Sequence, residues 1–245
     1  MNKAVQRGCR LALGMSDAVK GARVPSTTRE EIRMLSTTES EKATMARCIA
    51  SIQAPRVLEI GAFQGATTRV LAEAAASRGG KVVVIDPMRW SAEFLQNGIY
   101  RHFEKRFGFL DRLVKRALGT RGYERKFWTN VGEHRSAVQL HRALSNDRAL
   151  IASQDASLQA FDVIFIDGDH GHEGASHDLL HWGLRTVRGG TIFVHDATPS
   201  FPGVLSALTA FAKAHPVDVE YPRKGSLAVV RVLESFDAPR ESIMS

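Results

Sequence analysis

The sequence predicts an α/β protein: a doubly wound, mostly parallel sheet of seven strands with a C-terminal antiparallel hairpin. Three stretches carry this reading. Arg56–Ile60 is a short apolar, β-prone run, followed by a loop with Gly61 and Gly65, a helix, and a second apolar run, Lys81–Ile85, that stops at Asp86. Strand, glycine loop, helix, strand and acid form the first unit of a nucleotide-binding α/β sheet. Phe161–Ile166 has five apolar residues in six and then breaks into Asp167-Gly168-Asp169-His170. Residues 191–194 are a similar run ending in His195-Asp196. Strands buried on both faces read as near-continuous apolar runs, and open parallel sheets bind ligands at the carboxyl ends of their strands. The two polar ends therefore predict one site.

In chain order, residues 1–30 are a basic leader or short helix, with Lys3, Arg7, Arg10, Lys20, Arg23 and Arg29 against the single acid Asp17. A secretory signal would need a longer apolar centre than residues 11–15; an Arg-rich, acid-poor transit segment stays open. The main domain is expected over residues 31–236 and a tail over 237–245. Ser36 and Glu39 have capping-box spacing for a helix over 39–52, with Ala43, Met45, Ala46, Ile49 and Ile52 as its apolar face and Pro55 beyond its end. The glycine loop opens a helix over 69–77, closed by Gly79-Gly80. Helices are expected over 90–107 and 109–118, a third strand over 126–131, and a helix with a polar loop within 141–160. A helix over 173–187 would turn Ala175, Leu179, Leu180, Trp182, Leu184 and Val187 inward and stop at Arg188-Gly189-Gly190. A last helix over 204–214 precedes the hairpin, 217–221 and 226–232.

The 245 residues suffice for one large domain, and no apolar run is long enough to cross a bilayer. Cys9 and Cys48 have neither metal nor redox spacing; Cys48 reads as a small buried hydrophobe, and the usage fits a reducing, cytoplasmic setting. The net charge of +7 is concentrated in residues 101–126, a basic insertion or cap with nine Lys and Arg against three acids. It reads as a solvated amphipathic helix, a surface for an anionic substrate, or a contact for anionic membrane or nucleic acid. No recognised nucleic-acid motif accompanies it, and a nucleic-acid partner is not expected.

The loop chemistry selects a cofactor. Gly61 and Gly65 allow close backbone approach, and Asp86 stands where it can accept from ribose hydroxyls. Gly61-x-x-x-Gly65 is not the G-x-G-x-x-G turn that a pyrophosphate needs. Glu59 adds a carboxylate, which repels phosphate and suits an ammonium. A ligand with a ribose, an ammonium and no phosphate is S-adenosylmethionine.

Residues 57–67, VLEIGAFQGAT, resemble motif I of class I S-adenosylmethionine-dependent methyltransferases, above all the catechol O-methyltransferase-like branch. The later FDVIFIDGDHGHEGASHDLLHW and VRGGTIFVHD are similar to bacterial enzymes grouped with cephalosporin-hydroxylase-like and macrolide-sugar O-methyltransferases. Together these cover about residues 34–232 and imply a Rossmann-like fold. The resemblance implies that Glu59 takes a polar edge of the cofactor, Gly61 and Ala62 give backbone approach, Phe63 packs on it, Thr67 bonds the methionine carboxylate and Asp86 holds the ribose. Residues 34–39 would lid the methionine end. The adenine segment departs from the family's G-D-S, and Ser136 is the residue expected there. Asp167 matches a metal Asp, His170 the general base, and His195 and Asp196 the remaining metal ligands. Mg²⁺ prefers oxygen ligands, so His195 would favour Mn²⁺, Fe²⁺ or Zn²⁺, or act as a second base.

The expected activity is therefore O-methylation of a hydroxyl on a sugar or small secondary metabolite, with an anionic acceptor open and a homodimer open as its assembly. The competing readings are N-methylation, nucleic-acid methylation, and an inactive cofactor-binding regulator. The absence of an N-P-P-Y motif counts against chemistry on base amino groups. His177 and His181 have i, i+4 spacing without the H-E-x-x-H arrangement and read as a solvated face.

Overall fold

A computed structural model describes residues 37–88, 120–153, 155–221 and 225–236. The leader, the 90–107 and 109–118 helices, most of the basic segment and the tail lie outside the described residues. The elements are α1 (Glu39–Ala50), β1 (Arg56–Ile60), α2 (Ala66–Ala76), β2 (Lys81–Ile85), α3 (Thr120–Val131), β3 (Val138–His141), α4 (Arg148–Ile151), β4 (Phe161–Ile166), α5 (His172–His181), β5 (Thr186–Val194), α6 (Pro202–Ala214), β6 (Val217–Glu220) and β7 (Ala228–Val232).

The sheet has seven strands in the order β3-β2-β1-β4-β5-β7-β6. The pairs among β1 to β5 are parallel, and β7 runs antiparallel to both β5 and β6. The expected mixed sheet and closing hairpin are thus observed. The strand order reverses between β1 and β4, and a sheet of this kind opens its ligand crevice at that switch point. The polar end of β4 borders it, and that of β5 lies one strand further out.

Alternation along each strand sends neighbouring side chains to opposite faces. Leu58, Ile60, Ile164, Ile166, Ile192 and Val194 form one core with Leu179 and Trp182 near α5 and with Leu208 and Phe211 of α6. Val57, Val82, Val84, Val163, Phe165 and Phe193 form the other with Met45, Ile49, Leu71, Phe127 and Val131. Glu59 lies between Leu58 and Ile60 and is fully buried with the second set.

Five expectations are corrected. The third strand is Val138–His141, and residues 126–131 are the end of α3. Tyr123, Phe127 and Val131 recur every four residues and are buried together, so a helical stripe was read as a β run. The capping box is Thr38 with Glu41, because Thr38 accepts from the Glu41 amide while Glu41 accepts from the Thr38 amide. Residues 188–190 do not stop a helix: α5 ends at His181, and these residues form an irregularity within β5, where Gly189 takes φ +78° and the pairing to β4 shifts. Cys48 is half-buried and Leu180 is exposed, not inward.

Trp182 is wholly buried, donates from Nε1 to the Ser145 carbonyl at 2.9 Å, and carries the Arg185 guanidinium 4.3 Å from its ring centre. Trp182→Ala is expected to cost about 3–5 kcal/mol by urea denaturation, from lost burial and the cavity left behind.

Candidate functional site

The glycine loop is held from three sides. Gly61 has φ +79°, and any side chain there would collide with the Asp167 carbonyl, so the chain leaving β4 can pass over the loop only because this residue lacks one. Asp86 knots the loop to the end of β2: one carboxylate oxygen accepts from the amides of Ala62 (2.9 Å) and Phe63 (3.1 Å), and the other from Met88 (2.6 Å). Burial raises its pKa, and the same amide bonds oppose the rise. Asn130 donates to the Gln64 carbonyl at 2.8 Å from α3. Gly65 begins α2 with no side-chain cap, and the space above it is taken by the Phe127 ring.

These contacts set out the expected cofactor residues. Ala62 is buried, Phe63 is half-exposed with its ring edge-on to Tyr123, and Thr67 donates to the Thr37 hydroxyl at 3.2 Å. Both Glu59 oxygens are buried without a hydrogen-bond partner among the described residues. An orphaned buried carboxyl behind an uncapped helix start fits a ligand with an ammonium and a carboxylate, since helix N-termini favour anions. Ser136 is not brought to this group. It is exposed in the 3-10 turn Gly132–Ala137, which precedes β3 and so lies at the amino edge of the sheet.

The second half of the site forms where β4 and β5 end side by side. The His195 amide bonds the Ile166 carbonyl at 3.0 Å, which aligns the two strand ends. Asp196 then takes φ +56°, a left-handed conformation that Asp tolerates better than most residues and that is concentrated at functional sites. His170 Nε2 lies 3.0 Å from Asp196 Oδ2, and the His170 ring lies on Phe201 with centroids 4.9 Å apart. The bond to Asp196 raises the His170 pKa, with burial opposing it.

His195 sits deeper. Its Nδ1 is 3.2 Å from Asp167 Oδ1 and 3.4 Å from Asp196 Oδ2, and its Nε2 is 3.0 Å from Ser226 Oγ and 3.8 Å from Glu41 Oε2. Burial alone would lower the imidazole pKa, but Asp167, Asp196 and Glu41 carry it up to about 12. Burial would raise the Asp196 carboxyl, which the two histidines hold down at about 2. The residues whose donor atoms converge for a cation are Asp167, His170 and Asp196, with all three atoms within 4.8 Å of one another. His195 faces the same carboxylates from below with both ring nitrogens engaged.

Sequence reasoning missed Glu41 and Ser226, which line His195 from α1 and from the loop before β7. The Thr38-x-x-Glu41 spacing was the available signal, one capping register beyond the one chosen. Asp169, left without a role, accepts from the Gly171 amide at 2.7 Å and fills the notch over Gly174, so it shapes the turn.

A family profile described as a methyltransferase domain matches residues 58–197, more than half of the chain. No match is found among curated proteins. The fold is similar to that of TomG, an O-methyltransferase from Streptomyces achromogenes involved in tomaymycin synthesis and solved with S-adenosylmethionine, at 17% identity over 82% of each chain and TM-score 0.54. It is also similar to the O-methyltransferase NovP, at 16% identity over 79% of each chain and TM-score 0.53. A third likeness is to cofactor-bound Rv0187 from MTB, at 20% identity over 92% of this chain and 89% of that one, with TM-score 0.50.

Burial, with Asp167 and Asp86 adding to it against a nearby Thr68, pushes the Glu59 carboxyl from 4.5 up to about 8. Between those values the folded protein keeps a proton that the unfolded chain releases, so ligand-free stability falls as pH rises. Urea midpoints at pH 5, 7 and 9 should show this decline, and Glu59→Gln should reduce it without removing it, because the raised His195 pKa contributes the same sign above pH 6.5. Gly61→Ala should abolish cofactor binding by calorimetry, because the new methyl displaces the Asp167 carbonyl from β1.

Proposed function

The chain belongs to the methyltransferase-domain family and is an S-adenosylmethionine-dependent enzyme; from that premise we propose that it methylates a hydroxyl oxygen of a sugar or small secondary metabolite. The observation that carries the proposal is the His170–Asp196 pair at 3.0 Å, at the carboxyl ends of β4 and β5, with β4 next to the strand that bears the glycine loop. The likeness in fold to TomG and NovP supports an oxygen acceptor. The methyltransferase domain is taken as residues 31–236, with the leader and tail outside it.

Methyl transfer to oxygen requires a positioned hydroxyl and a group to take its proton. Bound S-adenosylmethionine supplies an electrophilic methyl group. Glu59 is suited to the cofactor's ammonium, and the open start of α2 with Thr67 to its carboxylate. Asp86, already fixing the loop through three amides, has an acceptor site left for the ribose. His170 Nε2 faces Asp196 at ion-pair distance, which leaves Nδ1 to accept the hydroxyl proton, and Asp196 stabilises the imidazolium that results. Phe201 gives the His170 ring a fixed wall and gives the acceptor an apolar face.

A second reading adds a divalent cation. The donor set fits one: Asp167 and Asp196 provide carboxylate oxygens beside the His170 imidazole, and Asp196 Oδ1 is buried with no partner among the described residues. These residues would hold Mg²⁺ or Mn²⁺, the mixed nitrogen and oxygen set favouring Mn²⁺, and the ion would lower the pKa of a bound hydroxyl. A His170 nitrogen bound to the ion is no longer the base, so the two readings differ in the role of that ring. His195, expected as a third ligand, serves in either case to neutralise the carboxylates.

Among the described residues no helix is long and apolar enough to cross a membrane. The basic segment at 101–126 is proposed to favour an anionic acceptor, and a cytoplasmic homodimer is the setting proposed. An inactive regulator is disfavoured by the intact polar cluster.

His170→Ala is expected to lower turnover at least 100-fold on a hydroxyl acceptor while S-adenosylmethionine affinity by calorimetry stays within a few-fold. Loss of both would assign His170 to structure instead. Turnover unaffected by EDTA supports the base reading; turnover lost to EDTA and restored by Mn²⁺ supports the cation reading.

A further inference from the structure

Glu41 is 6% exposed and is bonded on every side. Its Oε1 accepts from the amides of Ser226 (2.7 Å) and Leu227 (3.1 Å), 185 and 186 residues away in the chain. Its Oε2 accepts from the Thr38 amide and the Thr38 hydroxyl, both at 2.7 Å. Gly225 makes room for this clasp, since a side chain there would press on Oε1. One carboxylate therefore closes the start of α1 and ties it to the loop that enters β7.

The same carboxylate faces the reaction site. Oε2 lies 3.8 Å from His195 Nε2, too far for a hydrogen bond but close for an ion pair. Ser226, which Glu41 anchors through its amide, places its hydroxyl 3.0 Å from that nitrogen. Across the ring, Nδ1 lies between the Asp167 and Asp196 carboxylates, and Asp196 Oδ2 in turn meets His170 Nε2. His195 and Asp196 are 2% and 1% exposed, so little water screens this chain of contacts. An imidazole can rotate about its Cβ–Cγ bond, and the Nδ1 contacts alone permit several ring angles. Contacts at the opposite nitrogen select one of them.

We propose that Glu41 is a positioning residue for methyl transfer: with Ser226 it sets the angle of the His195 ring, and through that ring the Asp196 carboxylate that orients His170. The inference rests on His170 being the group that meets the acceptor. A pure clasp would matter for stability alone. A positioning role must reach His170, which has no contact with Glu41.

The test is NMR of protein labelled with ¹³C and ¹⁵N in histidine, compared among wild type, Glu41→Gln and Ser226→Ala. Glu41→Gln is expected to shift the ring resonances of both His195 and His170 and to leave His134 and His215, outside the cluster, in place. Ser226→Ala, which keeps the backbone clasp, should move the same two rings. A folded variant that shifts His195 alone, or neither ring, overturns the positioning role; if Glu41→Gln does not fold, Ser226→Ala decides by the same criterion. Calorimetric binding of S-adenosylmethionine to the wild type reads the enzyme assignment separately. Absent binding removes that assignment, whereas binding with an unmoved His170 removes only the role of Glu41.

Discussion

Three carboxylates cannot share a buried space unless positive charge lies among them, and His195 supplies it. Glu41, Asp167 and Asp196 all lie within 3.8 Å of its ring nitrogens, and the ring itself is almost fully enclosed. A carboxylate held there without a partner would carry a desolvation cost of several kcal/mol. The imidazolium offsets that cost three times over from one position. Three separate elements therefore converge on it: the start of α1, the end of β4, and the turn after β5. Burial lowers an ordinary histidine, so this one is charged only because the carboxylates outweigh its desolvation.

That constraint explains the division of labour between the two histidines. His195 has both nitrogens occupied and almost no exposure, which suits it to hold charge and geometry. His170 is about one-third exposed with one nitrogen on Asp196, which suits it to exchange a proton with a ligand. The glycine loop meets this cluster through backbone contact and through charge: the Asp167 amide donates to the Ile60 carbonyl at 2.9 Å, and the Asp167 carboxylate adds to the rise of the Glu59 pKa. Gly61 must lack a side chain because the Asp167 backbone passes directly over it, so the cofactor side and the acceptor side are joined where β1 and β4 end together.

The strands that bear the site were legible because each is an apolar run that breaks abruptly into charge. β1, β2 and β4 were read with the bounds they have, and the polar ends of β4 and β5 meet as the parallel sheet requires. β3 was not legible. Its residues Val138–His141 alternate polar and apolar over only four positions on an edge strand, while Lys126–Val131 carries two adjacent aromatics and a β-branched end that imitate a strand. Only one face of α3 is buried, and a six-residue window is too short to separate a period of 3.6 from a β run. The misplaced strand carried Ser136 with it, from the carboxyl to the amino edge of the sheet.

The sequence by itself determined the sheet class, the glycine loop with its following acid, and the pairing of Asp and His at two strand ends. These are local patterns, set by the residues that must be buried and by the loop that must turn. The tertiary structure alone decided which histidine meets the cleft and which is enclosed, because both follow an apolar strand and nothing local distinguishes them. It also decided that Glu41 belongs to this site. A contact made across 185 residues depends on where α1 and the β7 entry loop pack, and no spacing within either segment encodes that distance.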